Sequence, residues 1–341
     1  MKVLVAGLGS IGQRHVRNLR GLFGDRVELL AYRKRGLPHV ITDQMTIDAS
    51  TSVEDRYGIR SFPDLAEALA ERPLATMICN PTSLHVATAR AAVEAGSHVF
   101  IEKPISDSWD GVEDLVHMAE QRRLAAVVGY QLRFHPALLR ARALLASGAI
   151  GDVRCVEARW HEFLPDAHPY EDYRGSYAAR RDLGGGVLLC YIHELDYLQW
   201  LFGTPVDVRA VGGRSGLLDV DVEDHAAVTL AFDAFEASCD LSFASRSRIR
   251  TCRIVGASGG LDVDLLSPRL VRTDARRRVV EDETFPGFAR NDLFVDELRD
   301  FFRGIDGHPA NGVSAREGLA SLRLALSARA GVQAQMLGSL S

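Results

Sequence analysis

Apolar and polar positions along the first third of the chain follow two alternating patterns. Short apolar runs, typical of buried parallel strands, are followed by stretches whose apolar residues recur at helical spacing. The predicted strands are Lys2–Ala6, Val27–Tyr32, Ala75–Cys79, His98–Glu102 and Ala125–Tyr130, and the predicted helices are Ser10–Leu22, Pro63–Ala70 (with Ser61 as its cap), Ser83–Ala95 and Trp109–Arg123. This alternation predicts βαβ units that form a doubly wound parallel sheet with helices on both faces.

The pattern changes after about residue 130. The chain from Val206 to Val280 alternates apolar and polar residues and is interrupted by glycines, which favours a large, mostly antiparallel sheet. The other predicted elements are a strand, Val153–Trp160, and four helices, Pro136–Ser147, one from Gly184-Gly185-Gly186 through Phe202, Asp292–Arg303 and Ala315–Gln333. We therefore predict an α/β chain with a Rossmann-type domain at 1–125 and an α+β domain at 126–341 that binds substrate and forms oligomers.

Composition narrows the class of protein. A length of 341 residues fits two domains, and a formal net charge of −5 argues against nucleic acid as the main partner. The five cysteines are scattered without a C-x-x-C pair, as expected of reduced thiols. The N-terminus lacks the layout of a signal peptide, and no apolar run is long enough for a bilayer, so we expect a cytoplasmic protein with no membrane partner.

The first predicted strand leads directly into Gly7-Leu8-Gly9-Ser10-Ile11-Gly12, which has the spacing G-x-G-x-x-G. In such a loop the first glycine makes the turn, the second lets the backbone approach a pyrophosphate, and the third lets the helix pack close to the strand. Phosphates then lie at the positive end of the helix dipole. Because the motif occurs at the first βα turn, we predict that Gly7, Gly9, Ser10, Ile11 and Gly12 bind a nicotinamide dinucleotide, the alternative being a glycine turn without a ligand.

The end of the second strand indicates which cofactor is bound. Sites specific for NAD usually carry an acid about 20 residues beyond the glycines. Here Tyr32 is followed by Arg33-Lys34-Arg35, whose three cations suit a 2′-phosphate. The sequence therefore favours NADP over NAD, with Tyr32, Arg33 and Lys34 at the cofactor; alternatively, Arg33 stacks on the adenine and the site accepts both.

A candidate acid/base lies in Glu102-Lys103-Pro104, at the carboxyl end of a predicted parallel strand. Open α/β sheets bind their ligands at this edge. Pro104 keeps Lys103 extended, which can direct the ammonium toward a substrate hydroxyl beside the nicotinamide. A partly desolvated lysine has a lowered pKa and can transfer a proton as hydride moves. The alternative is a solvent-exposed lysine.

The glycine loop, Glu102-Lys103-Pro104, Asn80-Pro81-Thr82-x-x-His85 and Gly184-Gly185-Gly186…His193-x-x-Asp196 together resemble the glucose–fructose oxidoreductase / inositol dehydrogenase / rhizopine-catabolism (Gfo/Idh/MocA) family over nearly the whole chain. The resemblance implies NAD(P)-dependent oxidation or reduction of a sugar or cyclitol carbon. It implies that Lys103 is the acid/base and that Asn80, Pro81, His85 and Glu102 lie at the cofactor. It also implies a homodimer or homotetramer formed through the C-terminal sheet.

His193 is the second catalytic candidate, and Asp196 shares its helical face. The preceding glycines would let the backbone approach substrate. The family commonly has an aspartate one turn before this histidine, but Cys190 is near that place here, and a neutral thiol replaces a carboxylate poorly. We therefore expect Lys103 to carry more of the proton chemistry and Cys190 to line the substrate site. His193 alternatively only binds a hydroxyl or has a structural role.

Other readings of Cys190 have less support. A zinc site would need three or four ligands at recognisable short spacings, which Cys190, His193, His161 and His168 do not have, so no metal is expected. A nucleophilic cysteine would need an activating base, and the sequence offers no obvious one.

Substrate walls are predicted in the aromatic loop 161–173 and in Gln131-Leu132-Arg133-Phe134-His135. These segments offer hydrogen-bonding groups and aromatic faces, both of which sugars use. Gln131, Arg133 and Trp160 are candidate substrate residues, and Arg133 could bind a carboxylate or phosphate. Arg180 and Arg181 could do the same, although each arginine could also be a plain surface residue and Trp160 a core residue.

The leading hypothesis is therefore an NADP-preferring dehydrogenase acting on a sugar, nucleotide sugar or cyclitol. One alternative is a non-catalytic NADP-binding sensor, which Cys190 favours and an intact Lys103 disfavours. Another is a lyase or hydrolase that uses bound cofactor transiently.

Overall fold

The protein folds around two large sheets, beside a small sheet of two strands, β3-β4, in a computed structural model that describes residues 1–34 and 39–338. The first sheet has the order β17-β8-β7-β6-β1-β2-β5 and the second β10-β11-β12-β9-β13-β14-β15-β16. The strands are β1 (Lys2–Ala6), β2 (Glu28–Tyr32), β3 (Val40–Ile41), β4 (Ile47–Asp48), β5 (Ile59–Phe62), β6 (Ala75–Ile78), β7 (His98–Glu102), β8 (Ala126–Gly129), β9 (Val153–Phe163), β10 (Asp207–Gly213), β11 (His225–Ala231), β12 (Glu236–Ser242), β13 (Ala244–Gly256), β14 (Gly259–Asp264), β15 (Arg269–Asp274), β16 (Val279–Thr284) and β17 (Val313–Ser314).

Helices cover the first sheet and one face of the second. They are α1 (Ser10–Phe23), α2 (Val53–Tyr57), α3 (Leu65–Ala70), α4 (His85–Glu94), α5 (Val112–Gln121), α6 (Pro136–Ala146), α7 (Leu164–Ala167), α8 (Val187–Cys190), α9 (His193–Phe202), α10 (Arg290–Ile305) and α11 (Ala315–Gly338). In the part of the chain that the structure describes, no helix is both long and apolar enough to cross a membrane.

The first sheet is the predicted doubly wound parallel sheet. Strands β1, β2, β5, β6, β7 and β8 pair in parallel, and the short β17 adds an antiparallel edge. Because β8 pairs with β7, this sheet continues to Gly129, past the boundary expected after residue 125. Phe301 and Phe302 of α10 also join its core, so the chain returns to the first domain near its end.

The second sheet confirms the prediction of a large, mostly antiparallel sheet. In this sheet, among the described residues, only β9 and β12 pair in parallel. Residues along β11 and β12 alternate between buried and more exposed, because one face packs on helices and the other faces outward. Helices α8 and α9 lie on the covered face, against β9, β11 and β12.

Two helix predictions are corrected by local hydrogen bonding. Helix α3 begins at Leu65 rather than Pro63, because the Asp64 side chain, not Ser61, accepts from the N–H groups of Ala66 and Glu67. The single helix expected from the glycine run to Phe202 is two, α8 and α9, separated at residues 191–192. The expected loop is also shorter, since β9 continues to Phe163 and α7 follows.

Candidate cofactor and active site

The glycine loop between β1 and α1 has the geometry that a dinucleotide requires. Gly7 has φ +101°, and a Cβ there would lie 2.8 Å from the Asn80 backbone nitrogen. A Cβ on Gly12 would lie 2.0 Å from the Gly7 carbonyl oxygen, so this position maintains close packing of helix and loop. A Cβ on Gly9 would meet nothing within 4 Å. The space beside Gly9 therefore lets a pyrophosphate approach the backbone.

The start of α1 also suits an anion. Gly9 is the N-cap without a side-chain cap, and the first turn has no acidic residue, so no side chain of the cap competes with a phosphate for the first N–H groups. Ser10 is the first helical residue, and Ile11 packs beside it against both cores. Burial raises the pKa of Tyr170 to about 12, and the nearby Ser10 side chain opposes this rise. A segment of the C-terminal domain thus reaches the phosphate end of the groove.

The end of β2 carries the residues expected to choose the cofactor. The Tyr32 carbonyl accepts from the Gly7 N–H at 2.9 Å, which holds the glycine loop to β2. Arg33 pairs with Glu54 of α2, with 2.7 Å between Nη1 and Oε1, and Lys34 is exposed. Arg35, the third cation of the prediction, lies outside the described residues. The sequence next to Tyr32 has no carboxylate. The carboxylate that pairs with Arg33 belongs to Glu54, 21 residues later in the chain.

The loop after β6 is held by its own side chains. The ring nitrogens of His85 lie 2.8 Å from the carbonyl oxygens of Asn80 and Pro104, so His85 ties the ends of β6 and β7 together. This replaces its predicted contact with the cofactor by a positioning role. Asn80 donates to Thr88, and its buried Oδ1 has no partner among the described residues. Asn80 and the adjoining Pro81 remain candidates for cofactor contact.

Glu102 also differs from the prediction. Its Oε1 lies 2.7 Å from Nε2 of His15, a buried residue on α1 between the rings of Phe100 and Phe294. The Glu102 carboxylate therefore joins β7 to α1 beneath the groove rather than facing the cofactor. In the sequence, the His15–Glu102 pair is indicated only by the position of His15, which follows Gly12 by three residues, or one helical turn.

Lys103 lies at the carboxyl end of β7, as expected, and its Nζ donates to the Cys190 carbonyl oxygen at 2.8 Å. That carbonyl is free because the helix is interrupted after Cys190: the Glu194 N–H bonds to the Tyr191 carbonyl instead. Burial lowers the pKa of Lys103. The break between α8 and α9 thus orients a lysine whose neutral form is favoured by its surroundings.

His193 is the first residue of α9 and is buried, with its Nδ1 unpaired among the described residues. Burial lowers the pKa of His193 well below 6.5, and the charges of Lys103, Arg250 and Arg290 lower it further. The ring is therefore neutral and lies among cations. Asp196, which shares a helical face with His193, accepts hydrogen bonds from Arg133 and Ser321.

The Cys190 thiol is buried beside Tyr177, and burial raises its pKa to about 11. A thiol at this pKa is neutral at physiological pH and a poor nucleophile. The contribution of Cys190 to the site is its carbonyl. Among residues 1–34 and 39–338, no group of three or more His, Cys, Asp and Glu side chains is arranged to hold a metal ion.

The predicted role of the glycine run before α8 is corrected as well. A Cβ on Gly185 would lie 2.3 Å from the Tyr177 carbonyl oxygen, and one on Gly186 would lie 2.3 Å from Oε1 of Glu223. These glycines allow close packing of protein on protein, not the predicted approach of backbone to substrate.

Arg133 does not stand free to bind an anionic substrate. Its Nε and Nη2 donate to Asp196 at 3.0 and 2.8 Å, and its Nη1 reaches Glu317 at 3.5 Å. The side chain is 8% exposed. The neighbouring Gln131 is buried in a turn after β8. The predicted role of Arg133 is thus replaced by a buried ion pair that joins this turn to α9. At the surface, the Arg180 guanidinium pairs with Asp182, and Arg181 donates its backbone N–H to Oδ1 of Asp221 and its Nη2 to the Asp221 carbonyl oxygen.

Trp160 is covered on both ring faces. Tyr191 stacks on it with 3.6 Å between centroids, and the Arg250 guanidinium carbon lies 3.6 Å from the ring centroid. Two groups this close must lie on opposite faces, so the predicted sugar contact through a Trp160 face is not available. Arg250 also pairs with Glu194 of α9, at 2.7 and 2.9 Å. This stack and ion pair join residues far apart in the sequence, where the local signal is an arginine at positions 246, 248 and 250 of β13.

Both domains of the chain match known proteins. Residues 1–130 match the Gfo/Idh/MocA model described as an oxidoreductase family with an NAD-binding Rossmann fold, and residues 138–262 match the Gfo/Idh/MocA C-terminal domain. The chain is 29% identical to UDP-N-acetylglucosamine 3-dehydrogenase from Acidithiobacillus ferrooxidans, covering 98% of each protein. It is 30% identical to an uncharacterized oxidoreductase from Synechocystis sp., over 59% of this chain and 57% of that protein.

Solved structures agree with these matches. A structure of the Acidithiobacillus ferrooxidans UDP-N-acetylglucosamine 3-dehydrogenase superposes with a TM-score of 0.76 at 27% identity, covering 98% of each chain. A levoglucosan dehydrogenase in complex with NADH and levoglucosan has a TM-score of 0.81 over 98% of this chain and 97% of that one. Its identity is 19%, so this second likeness bears on the fold alone.

Proposed function

This chain belongs to the Gfo/Idh/MocA family of oxidoreductases, and from that premise we propose that it is an NAD(P)-dependent dehydrogenase with Lys103 as its acid/base. The substrate carbon is a CH–OH or C=O carbon of a sugar or nucleotide sugar. The observation that carries this proposal is the contact of Lys103 Nζ with the Cys190 carbonyl at the carboxyl end of β7. When bound, the nicotinamide accepts or supplies the hydride.

Lys103 handles the proton in this account. In the oxidative direction its neutral Nζ accepts the proton of the substrate hydroxyl and becomes an ammonium. The Cys190 carbonyl oxygen then accepts a hydrogen bond from the ammonium and keeps the ammonium in place. In the reductive direction the ammonium returns a proton to the developing alkoxide. The lowered pKa of Lys103 supports both directions, because proton transfer is most efficient when the pKa is near the working pH.

His193 positions the substrate. It is neutral and buried, so it can exchange a hydrogen bond with a substrate hydroxyl without introducing a second charge. The cations around it oppose its protonation, and Asp196 is held elsewhere by Arg133. We therefore assign the proton transfer to Lys103 alone and the orientation of the hydroxyl to His193.

The cofactor is proposed to be NADP(H) in preference to NAD(H). Arg33 follows β2 at the place where a 2′-phosphate would lie, and Glu54 holds its guanidinium there. Gly9 and the uncapped start of α1 would hold the pyrophosphate. Tyr170 would close over Ser10 from the C-terminal domain.

The substrate class is supported by the relative that matches along the full chain and is named for UDP-N-acetylglucosamine. The outward face of the second sheet is the place for the proposed homodimer or homotetramer. This face is polar and exposed, as the alternation along β12 indicates.

The test is a dehydrogenase assay with UDP-N-acetylglucosamine, free sugars and myo-inositol, run with NADP and NAD. We expect reduced cofactor to appear with a sugar or nucleotide sugar. Lys103→Met should lower turnover by at least about a hundredfold, the usual scale of positioned proton transfer, and leave cofactor binding intact. Lys2→Met is the matched control, because Lys2 pairs with Glu71 on the surface. Near-normal turnover in Lys103→Met would contradict the assignment, and tight cofactor binding without any reduction would favour a sensor.

A further inference from the structure

A cluster of arginines surrounds the substrate end of the cleft, beyond Lys103 and His193. Arg248 and Arg250 both come from β13, whose register against β9 shifts between Ala244 and Ile249. Arg250 is neutralised by Glu194, and Nε of Arg248 lies 2.9 Å from Oε1 of Glu162. The C-terminal wall thus presents two guanidinium groups, each with a carboxylate.

Two further arginines come from the other side of the cleft. Nη1 of Arg14, on α1, donates to Oδ1 of Asn291 at 2.9 Å, and its guanidinium carbon lies 4.9 Å from the Phe294 ring centroid. These contacts place the first turn of α10, and therefore Arg290, beside the helix that follows the glycine loop. Within the described residues, neither Arg14 nor Arg290 has a carboxylate within ion-pair distance. Asp43 and Glu102 act on Arg14, and Glu162 acts on Arg290, only from beyond that distance.

Arg290 is influenced by the charges of the other three arginines. It is open to solvent in the cleft, yet the surrounding protein withdraws part of its hydration, and this effect with the charges of Arg14, Arg250 and Arg248 lowers its pKa to about 10. It still carries its full charge at neutral pH. Arg290 also lowers the pKa of His193, which places its charge at the substrate end of the cleft.

We propose that the physiological substrate carries an anionic group, a carboxylate or a phosphate, that Arg290 binds. This inference rests on the proposed dehydrogenase function and specifies its substrate class. A guanidinium offers paired N–H donors that match the geometry of either anion. The protein as a whole has a formal net charge of −5, so a local excess of positive charge is a feature of this cleft and not of the whole surface.

Equilibrium binding to the NADH-loaded protein tests the inference without depending on turnover. Two matched probe pairs are titrated by calorimetry: glucose with glucuronate, and N-acetylglucosamine with N-acetylglucosamine 1-phosphate. We expect the anionic member of at least one pair to bind at least about tenfold more tightly than its neutral partner. The pair that shows the preference identifies a carboxylate or a phosphate as the source.

Variants assign that preference to the cluster. Arg290→Gln should remove it, Arg290→Lys should keep part of it, and NADH affinity should not change in either. Arg299→Gln is the matched control, because Arg299 lies on the same helix and pairs with Asp296 at the surface. It should bind every probe as the wild type does.

Three results would overturn the inference: no anionic probe binds better than its neutral partner, the preference survives in Arg290→Gln, or Arg290→Gln weakens NADH instead. Each leaves the proposed function standing if a neutral sugar is still oxidised. Conversely, a protein that shows the anion preference but transfers no hydride would contradict the proposed function and not this inference.

Discussion

The two walls of the cleft are built by different means. The Rossmann wall presents backbone: a glycine loop, an uncapped helix start and little side-chain charge at the phosphate position. The C-terminal wall presents side chains held by buried ion pairs, with Glu194 and Asp196 of α9 bound to Arg250 and Arg133. A backbone wall suits a cofactor shared by many enzymes, whereas a wall of side chains can be changed residue by residue to suit one substrate.

The largest effect should come from the C-terminal wall. Asp196→Ala leaves the Arg133 guanidinium buried without its main partner, and we expect the free energy of unfolding to fall by about 3–5 kcal/mol. The double variant Asp196→Ala/Arg133→Met removes both charges and should recover much of that loss. Urea unfolding of the three proteins measures this. Equal stability of the wild type and Asp196→Ala would show that the pair does not support the wall.

The Rossmann wall should respond through ligand affinity. Gly9→Ala places a methyl group in open space, so the melting temperature should stay the same while the affinity for both cofactors falls at least about tenfold, or about 1.4 kcal/mol. Gly12→Ala forces a Cβ against the Gly7 carbonyl and should lower both affinity and melting temperature. Thermal unfolding and fluorescence titration with NADPH and NADH separate the two. Unchanged affinity in Gly9→Ala would contradict a pyrophosphate at this position.

The smallest effect should come from Arg33, a charged side chain proposed to bind the cofactor. Arg33→Ala should weaken NADPH about fivefold more than NADH, because an ion pair near solvent contributes roughly 1 kcal/mol. Arg56→Ala is the control, since Arg56 pairs with Asp48 on the same side of the domain. Titration with both cofactors provides the measurement. Equal losses of affinity for NADPH and NADH would contradict a preference for NADP.

The contrast between the walls also explains what the sequence could predict. The roles of Gly7, Gly9 and Gly12 can be predicted because each depends on the local backbone geometry. The predicted strand before them shows that they occupy a βα turn. The pairs Arg250–Glu194 and Arg133–Asp196 join residues 56 and 63 positions apart, so no local pattern reveals them. Their absence from the prediction led to Arg133 being assigned to substrate and Arg250 being overlooked.

The break between α8 and α9 was missed for a related reason. The apolar residues Leu188, Leu189, Ile192, Leu195 and Leu198 form one helical stripe, which predicts a single helix. Tertiary contacts override that pattern, because Tyr191 stacks on Trp160 at the break. The consequence is functional, since only an interrupted helix leaves the Cys190 carbonyl available to Lys103.

The pH dependence of hydride transfer, measured in both directions by single-turnover kinetics, tests the role of Lys103 most directly. Because burial lowers the pKa of Lys103, oxidation should accelerate as pH rises through that lowered pKa and then level off. Reduction should slow over the same range, since it needs the ammonium. We predict that Lys103→Met loses both dependences and that Lys2→Met keeps them. Persistence of the same two limbs in Lys103→Met would contradict the assignment of Lys103 as the acid/base.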